Sequence, residues 1–279
     1  MIPFDFEYYR PETIQEAVQT FEDIQKQGKS VLYYSGGTEF ITFSRRNHLT
    51  ADAVIDLKGI PECNVLEVQE EQLVIGSGVT LNHITESNLF PLLGEAVKKV
   101  ADHTSRNKIT IGGNLNSRLI YREGILPLLL SNAMVKLAGS EGETLIPLEE
   151  VFQQNLQISQ GQFLVQILIN KSYLHLQHFS LKKTKSTKVG YPVVSISAIV
   201  KDKKLRTAFS GICSYPFRSM EIENILNDSS LPVEDRVQRA VERLPSTIVH
   251  DIQASAEYRE FVFKNALSET IEALKEAIT

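Results

Sequence analysis

Apolar patterning changes character once along this chain of 279 residues, near residue 170, and that change limits the fold more than any other feature. Before it, helix and strand periods alternate. Ile14, Ala17, Val18, Phe21 and Ile24 keep helical spacing, with Thr13-Ile14-Gln15-Glu16 as a capping box at the start. Val31-Leu32-Tyr33-Tyr34 makes a short β-type run that stops at Ser35-Gly36-Gly37-Thr38. A buried strand is expected at Ala53-Val54-Ile55-Asp56-Leu57, punctuated by Gly59 and Pro61. Leu73-Val74-Ile75 reads as a strand, and Thr80 is placed to cap a short helix through Ile84. Leu92, Leu93, Ala96, Val97 and Val100 form one face of a longer helix. Beyond Gly112-Gly113 come a Leu/Ile-rich piece from Ile125 to Leu130, a strand over Ala133 to Ala138 and an apolar strand from Phe163 to Ile169.

Past residue 171, consecutive strands are expected at His175 to Leu181, Val193 to Val200 and Leu205 to Ile212. Helical patterns then take over at Met220 to Leu226, Val237 to Leu244 and Ser255 to Ala277. Strands followed by helices describe an α+β unit, so a domain boundary is placed near 170, dividing 1–170 from 171–279. The second part, about 110 residues, is large enough for its own core.

Composition excludes several classes. Twenty-nine basic against 34 acidic side chains leave a net charge of −5, so a generally basic nucleic-acid surface is not indicated. No apolar run approaches the roughly 18 to 20 residues that cross a bilayer. The start, Met1-Ile2-Pro3-Phe4-Asp5, lacks the basic and apolar stretches of a secretory signal, and a cytoplasmic chain is expected. Cys63 and Cys213 form no CxxC and fall short of the four thiolates usual for an iron–sulfur cluster. There is no GxxxxGK[ST], no GxGxxG opening a helix, no GxSxG and no HExxH. His175 and His178 would face opposite sides of a strand, which argues against a metal pair.

Four features could carry chemistry. Fifteen glycines give about one adjacent pair by chance, so two pairs mean little by count. Their contexts say more, because Gly36-Gly37 follows an apolar strand and Gly112-Gly113 is bracketed by Thr110, Ile111 and Asn114. Glycine pairs permit positive φ, and successive bare N–H groups can form a nest for phosphate. Two such loops could grip one diphosphate; two tight turns explain the spacing as well. The run from Lys182 to Lys188 holds four lysines and no acid, as a solvated loop would. Lys182, adjacent to the strand, is the better placed of the four to meet an anionic cofactor. Glu123 is either a surface acid or a hydrogen-bond acceptor for a ligand held by the glycine loop.

In order along the chain, these segments resemble the FAD-binding medium subunits of the molybdenum hydroxylases, the xanthine dehydrogenase and carbon monoxide dehydrogenase type. The resemblance runs through Ser35-Gly36-Gly37-Thr38-Glu39-Phe40, then Val54-Ile55-Asp56-Leu57-Lys58-Gly59-Ile60-Pro61-Glu62 and Ile75-Gly76-Ser77-Gly78-Val79-Thr80-Leu81. It continues in Ser105-Arg106-Asn107-Lys108-Ile109-Thr110-Ile111-Gly112-Gly113-Asn114-Leu115 and ends at Ser255-Ala256-Glu257-Tyr258-Arg259. It implies a two-subdomain FAD-binding α/β domain of the vanillyl-alcohol-oxidase (PCMH) type, split near 58, and a small C-terminal domain of antiparallel sheet plus helices. The loops Ser35 to Glu39 and Thr110 to Asn114 would hold the FAD diphosphate through backbone N–H groups. Thr38, Thr110 and Asn114 would add side-chain hydrogen bonds. Val100 and Leu164 match apolar cofactor contacts, and Lys182 matches a lysine near the flavin.

The same resemblance implies an electron relay. A molybdopterin-binding large subunit oxidises substrate, a small [2Fe–2S] subunit passes electrons on, and FAD delivers them to NAD or another acceptor. No acid–base residue is required of this chain. Glu123 stands where many relatives carry aspartate, which keeps the acceptor for the ribityl chain but lengthens its arm, and Arg118 and Arg122 add positive charge. Two other readings stand beside this one. A reductase of the UDP-N-acetylenolpyruvoylglucosamine type shares the N-terminal fold, but its motifs are not found here. A flavin-free assembly subunit is the third.

Overall fold

The computed structural model describes residues 2–187 and 189–278, so Lys188, the last of the lysine run, lies outside the described residues. The chain forms two compact units. The first comprises Met1–Ile84, His103–Ser117 and Ala133–Asn170; the second comprises Thr85–Asp102, Arg118–Asn132 and Lys171–Thr279.

In the first unit, Ala53–Asp56 runs between Glu7–Tyr9 and Val31–Tyr34 in a three-stranded parallel sheet. The middle strand of a parallel sheet is covered on both faces, which is why Ala53, Val54 and Ile55 are an unbroken apolar run and all buried. The helix Ile14–Lys26 packs on this sheet through Ala17, Phe21 and Ile24. Half of the expected capping box forms: Thr13 Oγ1 accepts from the Glu16 amide at 3.1 Å. The Glu16 carboxylate, however, accepts from the Glu12 amide at 2.8 Å rather than from Thr13.

A second sheet of the same unit is antiparallel throughout. Its order is Leu66–Gln69, Gln72–Gly76, Phe163–Asn170, Met134–Gly139 and Gly142–Pro147. Phe163, Val165 and Ala138 from this sheet share one core with Ile55 of the parallel sheet and with Phe21 and Ala17 of the helix that packs on it. Tyr33 ties the two: its hydroxyl donates to the Gly161 carbonyl at 2.9 Å, and its ring lies 4.6 Å from that of Phe163.

The second unit carries a four-stranded antiparallel sheet ordered His178–Thr184, Pro192–Lys201, Lys204–Ser210 and Phe217–Arg218. The helix Ala256–Ala273 packs on Pro192–Lys201, with Phe263, Ala266 and Leu267 joining Val194, Ile196 and Phe209 in the core. The helix Ile125–Leu130 is buried at every position and packs on Pro192–Lys201 and Lys204–Ser210. A helix with no polar face has to be enclosed.

Three expected elements shift. The first strand beyond 171 is His178–Thr184 rather than His175 to Leu181, because Lys171–Tyr173 forms a 3₁₀ turn first. Pairing with Pro192–Lys201 then carries the polar Lys182-Lys183-Thr184 into the sheet, so backbone pairing outweighs side-chain pattern there. The helix expected to reach Val100 spans only Pro91–Val97, since Ala101 takes a left-handed φ of 47° just beyond it. The helix expected to run to Ala277 starts with Ser255 as its N-cap, accepting from the Tyr258 amide at 3.2 Å, and ends at Ala273, with a separate short helix over Lys275–Ile278.

Among the described residues no helix is long and apolar enough to cross a membrane, and no group of three or more His, Cys, Asp or Glu gathers as a metal site. Both cysteines are free and buried, and burial pushes the Cys63 thiol up to about 11.

Arg259 pins the helix Ala256–Ala273 to the sheet of the second unit. It is fully buried, with Nη1 donating to the Val193 and Gly211 carbonyls, each at 2.7 Å, and Nη2 to Asp251 at 2.6 Å. Burial pushes the Asp251 carboxyl up, but the guanidinium and the amides of Gln253 and Ala254 outweigh it and hold it below the usual range. A depressed carboxylate stabilises the fold above the ordinary aspartate range and loses that contribution as the pH falls through its lowered value. Replacing Arg259→Met should cost about 3 kcal/mol at neutral pH, because two carbonyls and a carboxylate lose their partner. Urea denaturation checks this, and the variant's stability should also fall less steeply below about pH 4 than the wild type's.

Candidate functional site

The first glycine pair lies at the C-terminal end of the parallel sheet, directly after Val31–Tyr34, where open α/β sheets receive ligands. Gly37 takes a left-handed φ of 70° and precedes the helix Thr38–Ser44. The Gly37 and Thr38 amides head that helix and have no partner within it. A Cβ on Gly37 would lie 2.0 Å from the Tyr34 hydroxyl, so only glycine fits above that ring. The Ser35 hydroxyl is buried without a hydrogen-bond partner. The turn therefore presents bare backbone and an unused donor.

The second pair is not a loop. Gly112 and Gly113 lie inside the short helix Ile111–Leu115, and neither is among the glycines with positive φ. Thr110 caps it, accepting from the Gly113 amide at 3.2 Å. The expected diphosphate role for the amides of Thr110 to Asn114 meets a physical obstacle, because the last four of the five, Ile111 to Asn114, donate inside the protein. Ile111 donates to the Val79 carbonyl and Gly112 to that of Ser77, both at 2.9 Å, and Asn114 to that of Thr110 at 2.8 Å. Glycine is needed at 112 for close approach, since a Cβ there would lie 2.7 Å from that of Ser77. The Thr110 hydroxyl can still donate while it accepts from Gly113, but the residue is itself 1% exposed.

The two segments meet within the first unit. A Cβ on Gly36 would lie 2.0 Å from the Lys108 carbonyl oxygen and 3.3 Å from the Thr110 nitrogen. The Glu39 carboxylate accepts from the Ser117 hydroxyl at 2.5 Å, a second link between them. Leu164 is buried on Phe163–Asn170, beside Val165, whose carbonyl accepts from the Ser77 amide at 2.9 Å.

Val100, Glu123 and Lys182 belong to the second unit. Lys182 is no solvated loop lysine: it lies on the strand His178–Thr184 with its side chain 6% exposed, and its ammonium is 3.3 Å from Glu123, itself 8% exposed. It also donates to the Lys99 carbonyl at 2.6 Å, one residue before Val100. Lys99 in turn donates to the Ser180 carbonyl at 2.6 Å. Burial pushes the Lys99 ammonium down, Glu95 opposes this, and Lys182 adds to it. A cavity with room for about one water lies between Lys99, Glu123, Lys182, Ser195 and Ser197, and the two serine hydroxyls are buried without partners. Sequence reading had no signal for Lys99 or these serines, which only the folded sheet brings to Lys182.

Residues 4–171 match the family model described as the FAD binding domain in molybdopterin dehydrogenase. Over 290 residues the chain is 25% identical to the glyceraldehyde dehydrogenase medium chain of Sulfolobus acidocaldarius, covering 99% of both. Over 252 residues it is 23% identical to the nicotinate dehydrogenase FAD-subunit of Eubacterium barkeri, covering 82% of both. Among solved structures it matches quinoline 2-oxidoreductase from Pseudomonas putida 86 with a TM-score of 0.86, at 19% identity and over 99% of each chain. Carbon monoxide dehydrogenase from Hydrogenophaga pseudoflava matches equally, TM-score 0.86, at 19% identity and over 100% of each chain. The chain belongs to the FAD-binding family of the molybdopterin dehydrogenases: it is an oxidoreductase subunit of the molybdenum hydroxylase class, and its cofactor is FAD.

The residues fit that cofactor at the first turn, where a buried hydroxyl without a partner lies next to bare amides. Substituting Gly36→Ala should force the turn away from Lys108, lowering stability by about 1–3 kcal/mol in urea denaturation and weakening FAD retention on gel filtration.

Proposed function

We propose that this chain is the flavin subunit of a multi-subunit molybdenum hydroxylase, taking electrons from iron–sulfur clusters of a partner subunit and passing them through FAD to NAD or another acceptor. The observation that carries the reading is the meeting of the bare Ser35–Thr38 turn with the Lys108–Thr110 segment inside the family-matching part of the chain. When bound, FAD supplies the redox chemistry, exchanging one or two electrons. The protein's share is binding and electrostatics.

Amides of Gly36, Gly37 and Thr38 and the Ser35 hydroxyl hold the diphosphate, and Glu39 keeps that turn in place through Ser117. Thr110 and Asn114 give side-chain hydrogen bonds, while Ile111, Gly112 and Gly113 form the close-packed backing against Val79 and Ser77. Glu123 accepts from the ribityl chain, Val100 and Leu164 give apolar contact, and Lys182 provides positive charge that favours reduced, anionic flavin. The clusters belong to a small [2Fe–2S] partner because the two thiols here are buried and too few to ligate one. A molybdopterin-binding large subunit completes the assembly, and the relatives' designations as medium chain and FAD-subunit favour it. The match over residues 4–171 supports an FAD-binding region over 1–170 ahead of a C-terminal region over 171–279, although Thr85–Asp102 and Arg118–Asn132 of the former belong to the second compact unit. The change from parallel to antiparallel sheet supports the split near 58, and a cytoplasmic location completes the reading.

Purified chain should carry the visible absorption bands of oxidised flavin, and tagged chain should co-purify with molybdenum and iron–sulfur subunits. Replacing Lys182→Ala should shift the flavin midpoint potential to more negative values in a dye-coupled reductive titration. An unchanged potential would remove Lys182 from its role.

A further inference from the structure

Beneath the first glycine turn lies a group that has so far been given no role. Asp56 ends the middle strand of the parallel sheet and is 2% exposed. Its carboxylate accepts from the Lys58 ammonium at 2.7 and 2.8 Å, from the Lys58 amide at 3.0 Å, and from the Tyr8 hydroxyl at 2.5 Å. Lys58 sits on the single 3₁₀ turn Leu57–Gly59, so the carboxylate that caps this turn also holds its side chain. The ammonium reaches on to the Ser35 carbonyl at 2.7 Å and lies 4.8 Å from the centre of the Tyr34 ring. The hydroxyl of that same ring occupies the place a Cβ of Gly37 would take.

Two consequences follow from elementary geometry. The Ser35 carbonyl and the Gly36 N–H belong to one trans peptide group, so fixing the oxygen fixes the N–H in the opposite direction. A cation on the carbonyl oxygen also polarises the amide and makes its N–H a stronger donor. Both effects act on an amide assigned above to the diphosphate.

We propose that Lys58 is a positioning residue for the cofactor diphosphate: anchored by Asp56 and Tyr8, it holds the Ser35 carbonyl and the Tyr34 ring so that the Gly36 N–H faces the anion. The proposal rests on the FAD reading and adds to it the element that sets the turn. The same strut explains an acid, a lysine and a tyrosine clustered where no proton transfer is needed. Tyr8 is half exposed, yet its donation to Asp56 pushes its phenol up to about 12, as expected for one end of a fixed chain of hydrogen bonds.

The test titrates FAD into flavin-stripped full-length protein and reads quenching of flavin fluorescence. Lys58→Met should weaken binding at least about tenfold, the scale of one lost charge-assisted hydrogen bond, with the apo protein still folded by circular dichroism. Lys58→Arg keeps the charge and the donors and should return affinity to within about threefold of wild type. Tyr8→Phe, at a partly exposed position, should weaken binding about threefold and serves if Lys58→Met does not fold. Lys58→Met binding within about twofold of wild type, or Lys58→Arg binding no better than Lys58→Met, overturns the inference alone. Wild-type protein that takes up no FAD overturns the flavin reading itself.

Discussion

The approach of Gly36 to the Lys108 carbonyl is the contact on which the first unit's chemistry depends. Any side chain at position 36 would occupy the space that the carbonyl fills, so two segments distant in sequence can touch only through bare backbone. Close backbone contact leaves little freedom for either segment, which turns a flexible residue type into a rigid arrangement. The Ser117–Glu39 hydrogen bond and the bridge between Thr80 and Thr110 brace the same junction. Rigidity matters because a diphosphate rewards donors already aimed at it.

The two glycine pairs, so alike in sequence, serve different ends. Gly37 needs its left-handed φ to turn the chain from strand into helix over the Tyr34 hydroxyl. Gly112 has no such φ; it is bare because a helical turn presses against Ser77, and the adjoining amides are consumed in that packing. The proposed grip is therefore asymmetric rather than two equivalent amide nests, with backbone donors on one side and side-chain donors on the other. Each unit also holds an ion pair near its proposed binding residues: Glu123 with Lys182, buried on both sides, and Asp56 with Lys58, where the carboxylate is buried and the lysine is exposed. Buried pairs add little net stability but hold their members in one geometry, which suits placement of charge beside a redox cofactor.

Legibility tracked burial. Ala53 to Ile55, Phe163 to Ile169 and Val193 to Val200 stand out in sequence because strands covered on both faces are largely apolar, interrupted here by Gln166, Ser195 and Ser197. Glu7–Tyr9, Leu66–Gln69 and Gly142–Pro147 are edge strands with largely exposed side chains, too short or too polar to stand out in sequence. The lysine run looked solvated because its composition says nothing of Glu123, which only the tertiary fold brings to Lys182. The first glycine turn was readable from strand, glycine pair and threonine in succession. The strut under it was not, although an acid closing a central parallel strand, with lysine two residues on, is a pattern that points to a strand end facing a ligand.

The asymmetric grip makes a claim that backbone resonances report directly. Amide proton and nitrogen shifts of the full-length protein, followed as FAD is added, distinguish donors to the diphosphate from donors to the protein. The amides of Gly36, Gly37 and Thr38 should move strongly, while those of Ile111 and Gly112, already bonded to Val79 and Ser77, should stay nearly still. Large shifts at Ile111 and Gly112 with none at Gly36 to Thr38 would contradict the account.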